Sequence, residues 1–176
     1  MKSKTTYQRH RGVLSIRQTA LILTLAAVLG SGSPATAADS TVLDLPAELA
    51  CDFALRVEIR GGNQVMKEFV DKNGNVVRML SAGKGSALSF TNLSTGATFS
   101  LKANGSVTHT TINPDGSTLV VATGHNVIIL FPTDVPAGPS TTLYVGRVVF
   151  TVDSSGVFAV QQASGETTDI CAVLSK

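Results

Sequence analysis

The stretch HTTINPDGSTLVVATGH, residues 109–125, predicts a β-hairpin and with it a β-rich fold. Residues with high strand propensity flank the tetrapeptide NPDG at 113–116. Asn or Asp at the first position with Gly at the last is typical of a type I turn followed by a glycine bulge. Such a turn sets the register of the hairpin and places His109 opposite Val121.

Apart from His10, the only histidines of the chain are His109 and His125, at the two ends of this stretch. In the predicted register both lie on one face of the hairpin but four residues apart, about 13 Å at ~3.3 Å per residue. A shared zinc ion or proton requires ring nitrogens within about 4 Å of each other or of one ion. We therefore assign neither a metal-binding nor a catalytic role to these histidines.

The turn DKNG at 71–74 has the same chemistry as NPDG. Its geometry predicts Glu68 opposite Arg78 and Phe69 opposite Val77. Opposite charges facing each other across a strand pair favour this alignment.

The turn DSSG at 153–156 is the third of this type. It predicts Val152 opposite Phe158 and Phe150 opposite Val160. These pairs would give the hairpin one continuous apolar face.

Several other segments are predicted to be strands because they alternate apolar and polar residues or are apolar at every interior position. They are CDFALRVEI (51–59), SALSFTN (86–92), ATFSLKA (97–103), NVIILF (126–131) and TTLYVGRVVFTVD (141–153). The fourth is apolar at every interior position, which predicts burial on both faces. The proline-rich segment at 132–140 predicts a loop, and TTDICAVLSK at 167–176 predicts a capped short helix.

About ten short strands joined by tight turns predict an all-β fold, either an antiparallel sandwich or a closed barrel, with a short C-terminal helix. We divide the chain into a leader at 1–38, an N-terminal lead-in at 39–50 with one helical turn after Pro46, and a single all-β domain at 51–176.

Residues 1–38 have the features of a secretory signal peptide. Five basic residues precede an apolar run at 20–29, and an Ala-x-Ala cleavage site follows at 35–37. The run has about 10 apolar residues where a membrane span needs about 20. The sequence therefore predicts a secreted protein without a membrane span.

The charge of the chain without its leader argues against nucleic-acid binding. Nine basic and 12 acidic residues remain after residue 38, a net charge of −3. A nucleic-acid partner would require a basic footprint that neutralises phosphates.

Cys51 and Cys171 are the only cysteines. In an exported protein two lone cysteines most often pair, and we predict a disulfide between them that closes a loop of 121 residues. The alternative is two free, buried thiols.

The remaining motifs give no reason to assign a catalytic, cofactor-binding or metal-binding residue. AGKGSA at 82–87 departs from a phosphate-binding loop because Gly85 follows Lys84 and a strand comes next. No Gly-x-Ser-x-Gly is present. The absence of tryptophan disfavours a sugar-binding module, which relies on stacked aromatic rings.

Short motifs along the chain resemble a family of small secreted actinobacterial proteins of unknown function. They are LPAELACDF, TNLSTG, PDG, TGHN, GRVVFTVDSSG and DICAVLS. The family pattern is a signal peptide, a Pro-Ala-x-x-Ala-Cys-x-Phe entry, a chain of hairpins and a closing Asp-x-Cys-Ala. The chain departs from it at Glu48 and His125. The resemblance implies a secreted protein with β architecture and a pair of cysteines. It does not imply an activity.

These observations favour a secreted, non-enzymatic β domain that binds a protein partner or a small apolar molecule, or is structural at the cell exterior. The alternative is a secreted hydrolase whose carboxylates converge only in the folded chain. An apolar cavity would favour ligand binding, and two carboxylates facing one cleft would favour the hydrolase.

Overall fold

The structure, a computed structural model, describes residues 40–176, which form ten antiparallel strands in two sheets and one short helix. The predicted leader at 1–38 lies outside the described residues. The all-β prediction is confirmed, and the two sheets form a sandwich and are not closed into a barrel.

The elements are numbered in chain order. They are β1 (Ser40–Leu45), β2 (Leu55–Arg60), β3 (Asn63–Val70), β4 (Val76–Lys84), β5 (Ala87–Asn92), β6 (Thr98–Leu101), β7 (Gly105–Ile112), β8 (Thr118–Leu130), β9 (Ser140–Val152), β10 (Phe158–Asp169) and α1 (Ile170–Leu174). The smaller sheet has the order β1-β2-β5-β6, and the larger has the order β10-β9-β8-β7-β4-β3.

The N-terminal part of the fold differs from the prediction. Residues 40–45 of the predicted lead-in form the strand β1, which pairs with β2 so that Leu45 lies opposite Leu55. The strand predicted at 51–59 begins only at Leu55. The residues between β1 and β2 connect two adjacent antiparallel strands. This segment must therefore reverse the direction of the chain and cannot continue as a strand.

Two of the three predicted hairpin registers are confirmed. His109 lies opposite Val121 in the hairpin of β7 and β8. Phe150 lies opposite Val160 in the hairpin of β9 and β10, where the rings of Phe150 and Phe158 stack at 5.5 Å. In both hairpins the local turn chemistry determines which residues face each other.

The register predicted for the β3–β4 hairpin holds at the turn, where the Asp71 amide donates to the Asn75 carbonyl and Val70 faces Val76, but it is wrong by one residue beyond it. A β-bulge follows Phe69, so Phe69 faces Arg78 and Glu68 faces Met79. The guanidinium of Arg78 lies 4.5 Å from the centre of the Phe69 ring, a cation–π contact. The expected attraction between Glu68 and Arg78 is therefore replaced by stacking on an aromatic face.

Buried side chains form two clusters. The first lies between the sheets and contains Leu45, Ala50, Cys51, Leu55, Val57, Phe90, Leu143, Ile170 and Leu174. The second contains Ala122, Ile128, Leu130 and Val148. Val127 and Ile129 pack on the first cluster, while Ile128 and Leu130 belong to the second. The segment at 126–131 is thus packed on both faces, as predicted.

One row of residues crosses all six strands of the larger sheet. It runs through Gly165, Gly146, Gly124, Ser106, Gly83 and Gln64. The four glycines have positive φ, and a methyl group at Gly124 would overlap the carbonyl oxygen of Gly105 on the neighbouring strand. Glycine at such positions lets backbones approach closely and strands bend.

The chain ends are joined as predicted. Cys51 and Cys171 form a disulfide with a Cα–Cα distance of 5.6 Å. Asp169 caps α1 by accepting a hydrogen bond from the Ala172 amide, and Ile170 and Leu174 are buried. The part of the chain that the structure describes contains no helix with the length and apolar character of a membrane span.

Candidate functional site

A cleft of about 240 Å³ opens between the two sheets at the end where β6 leads into β7. Its floor is apolar and is formed by Ile59, Leu88, Leu101, Val127 and Leu143. These side chains also belong to the cluster between the sheets or pack against it. The core is therefore not sealed at this end, and part of its apolar surface faces the cleft.

One wall of the cleft is a short chain of hydrogen bonds between three strands. Ser81 donates its hydroxyl to Gln64 Oε1 at 3.2 Å, and Gln64 Nε2 donates to Ser106 Oγ at 2.9 Å. Gln64 and Ser106 are members of the row that crosses the larger sheet, and both line the cleft. Because Ser106 accepts in this chain, its own hydroxyl hydrogen remains free to be donated.

Asn126 also lines the cleft, and it lies opposite Tyr144, which packs on the second cluster. Asn126 Nδ2 is buried and has no hydrogen-bond partner among the described residues. A buried polar group without a partner typically costs about 1–3 kcal/mol. Such groups are rare in folded proteins, and a bound water or ligand is a common reason for one.

Basic residues lie at the strand ends and in the loop around the cleft mouth. Lys102 lines the cleft itself. Lys84 lines a shallow pocket that shares Gln64 and Ser86 with it, and Arg60 lines another that shares Lys102. The loops at these strand ends are hydrogen-bonded to each other, since the Ser86 hydroxyl donates to the Gly61 carbonyl and the Gly85 amide donates to the Asn104 carbonyl.

The two histidines do not meet. His125 is exposed at the cleft, whereas His109 is an exposed residue of β7 opposite Val121. Within residues 40–176 no group of three His, Cys, Asp or Glu side chains could hold a metal ion.

Three of the aspartates serve their turns. The Asp153 carboxylate accepts from the hydroxyl and amide of Ser155 and from the Val157 amide, which holds the pKa of Asp153 below its usual value. Hydrogen bonds from Asn75 and from Ser117 lower the pKa of Asp71 and of Asp115 in the same way. These carboxylates are exposed, and their oxygens accept hydrogen bonds from residues of their own turns.

The acids relevant to the hydrolase alternative lie elsewhere. No Asp or Glu of the described residues lines the cleft. Asp52 and Asp169 share a separate small pocket beside the disulfide, but Asp169 is the cap of α1. An acid that holds a helix end is poorly suited to act as a nucleophile or proton donor.

Sequence reasoning missed the cleft. Its residues come from β2, β3, β5, β6, β7, β8 and β9 and from the loops between them. One signal was available in the sequence: the segments RGGN (60–63), AGKGSA (82–87) and KANGS (102–106) each combine glycine with a basic residue.

No protein-family model, curated protein or solved structure matches this chain. The resemblance to small secreted actinobacterial proteins stays a prediction.

Proposed function

We propose that this chain is an exported, non-enzymatic β domain that binds a small molecule with an apolar body in the cleft between its sheets. The observation that carries the proposal is the apolar floor, which includes Leu88, Leu101 and Val127 and remains open to the cleft. The signal-peptide pattern at 1–38 and the disulfide support export, because structural disulfides form in oxidising compartments.

The size of the cleft limits the ligand. Its volume of about 240 Å³ lies below the about 300–1,000 Å³ that is typical of sites for drug-sized molecules. The apolar floor favours a short aliphatic or small aromatic body, and the polar wall formed by Gln64 and Ser106 favours one polar end. Sites of this kind combine an apolar lining with a few polar groups that orient the ligand.

Titration of the 15N-labelled protein with 1-hexanol, followed by two-dimensional NMR, tests this function. We expect saturable shifts of the amides of Leu101, Val127 and their neighbours. Val127→Phe should abolish these shifts because the larger ring fills the floor. Val121→Phe, the same change on the same strand outside the cleft, is the matched control and should leave them intact.

Shifts that do not saturate, or an unchanged affinity in Val127→Phe, would contradict the proposed site. Shifts centred on the pocket beside Asp52 and Asp169 would instead favour that pocket.

A further inference from the structure

The larger sheet exposes one of its faces between the row of glycines and the three hairpin turns. Three rows of six residues cross its six strands on this face, and we call these eighteen residues the open face. The first row is Val65, Ala82, Val107, Thr123, Arg147 and Ser164, the second is Lys67, Leu80, His109, Val121, Val149 and Gln162, and the third is Phe69, Arg78, Thr111, Leu119, Thr151 and Ala159. None of them belongs to either buried cluster or lines the cleft, and all but Val149 are exposed or half-buried.

The open face is rich in apolar side chains. Nine of its eighteen residues are apolar, and Val65 and Leu119 have exposed fractions of 71% and 37%. A contiguous exposed apolar patch typically marks an interaction site. The size also fits, because each partner contributes about 20–30 residues to a standard protein interface.

The formal charges on the open face are all positive. Lys67, Arg78 and Arg147 lie on it without any Asp or Glu, although the chain after residue 38 has a net charge of −3. Neither of the two ion pairs among residues 40–176 involves these three cations. The aspartates of the adjoining turns accept hydrogen bonds within those turns. Three positive charges on this face therefore have no carboxylate partner among the described residues.

Neighbours on the same face hold these cations in place. Lys67 Nζ lies 5.1 Å and the Arg78 guanidinium 4.5 Å from the centre of the Phe69 ring. Arg147 Nη1 donates to Gln162 Oε1 at 2.9 Å. These contacts restrict the three side chains without neutralising them. A partner that binds them therefore removes less side-chain entropy than it would from free cations.

We infer that the open face binds an acidic surface of another protein. Carboxylates of the partner pair with Lys67, Arg78 and Arg147, and its apolar side chains cover residues such as Leu80 and Val121. Protein interfaces combine an apolar centre with a polar rim in this way, and Arg is enriched in them.

Other occupants fit the open face less well. A second copy of the chain would bring three more cations and no acid to the contact. A polysaccharide with anionic groups would pair with the cations but leave the apolar half uncovered. Membrane surfaces take up aromatic side chains, whereas Phe69, the only Phe, Tyr or Trp of the open face, is stacked by two cations.

Fluorescence anisotropy with labelled polypeptides at neutral pH tests the inference. A random copolymer of glutamate and tyrosine offers carboxylates together with apolar rings, and it should bind and shift the amides of the open face in two-dimensional NMR. Polyglutamate should bind about tenfold more weakly because it leaves the apolar residues uncovered. Added salt should weaken both, since the paired charges are near the surface. Dextran sulfate and phosphatidylglycerol vesicles are the probes for an anionic polysaccharide and for a membrane.

Two matched pairs of variants separate the open face from the rest of the surface. Arg78→Glu should lower the affinity for the copolymer by about tenfold, because it places like charges together. Lys176→Glu makes the same change of charge at the C-terminus and should alter the affinity by less than about twofold. Leu119→Ser should weaken binding severalfold, whereas Leu93→Ser, at a similarly exposed residue of the β5–β6 turn, should not.

Failure of the copolymer to bind, or equal affinities in Arg78→Glu and Lys176→Glu, would overturn the inference. Tighter binding of dextran sulfate or of the vesicles would also overturn it and would point to a polysaccharide or a membrane. A dimer of the protein alone that sedimentation detects and Leu119→Ser abolishes would make a second copy the occupant instead. Should Arg78→Glu not fold, Arg147→Glu decides.

Discussion

The disulfide between Cys51 and Cys171 is expected to contribute about 5 kcal/mol to the free energy of unfolding. The two cysteines are separated by 120 positions, so the bridge closes a ring of 121 residues, nearly the whole described chain. A ring of this length restricts the unfolded chain by about 16 cal/mol/K, or about 4.9 kcal/mol at 25 °C in the chain-entropy model. Replacing both cysteines by alanine should remove this contribution.

The loss should appear first at α1. A helix of five residues is not stable by itself, and without the bridge it is retained only by its side chains and one hydrogen bond. Ile170 and Leu174 are buried between the sheets, and Asn92 Nδ2 donates to the Leu174 carbonyl at 3.2 Å. We therefore expect α1 to exchange its amide hydrogens faster while the sheets remain folded.

Urea unfolding followed by far-ultraviolet circular dichroism measures the effect. Dithiothreitol should destabilise the wild type by the same amount as the double substitution, and it should leave the double variant unchanged, which makes that variant the matched control. A loss below about 1 kcal/mol would refute the chain-entropy reasoning. Two free thiols per chain in the unreduced, denatured protein would refute the bridge itself.

The turns and the glycine row give two further predictions. Because the pKa of Asp153 is lowered in the folded protein, its contribution to stability is present above pH about 4 and is lost as the pH falls through the folded value. Urea midpoints measured across the acid range should therefore fall less steeply in Asp153→Asn than in the wild type. Gly124→Ala should destabilise the protein by more than about 2 kcal/mol, since the new methyl group meets the Gly105 carbonyl oxygen and φ is positive. Gly96→Ala, also at positive φ but with nothing within 4 Å, should cost only about 1–2 kcal/mol. Equal thermal shifts in the two variants would count against close backbone approach as the reason for glycine at position 124.

The predictions of strand register are confirmed where residues within one turn determine the pairing, and they fail where the pairing depends on residues further away in the sequence. The registers around 113–116 and 153–156 are confirmed because an Asp or Asn and a Gly within one turn determine them. Around 71–74 the pairing of Asp71 with Asn75 is as predicted, but a bulge between Phe69 and Val70, which the turn chemistry does not determine, shifts the register beyond it by one residue. The strand β1 was missed because it forms only by pairing with β2.

The sequence by itself determined the β class, the positions of the turns, the loop at 132–140 and the joining of the chain ends through Cys51 and Cys171. These features depend on neighbouring residues or, for the bridge, on the chemistry of a single residue type. Only the tertiary structure decided that the fold is an open sandwich and that Gln64, Lys102 and Asn126 surround one cleft. The physical reason is that the strands that form the cleft are distant in sequence and adjacent only in the fold, so no local pattern shows which apolar side chains they leave open.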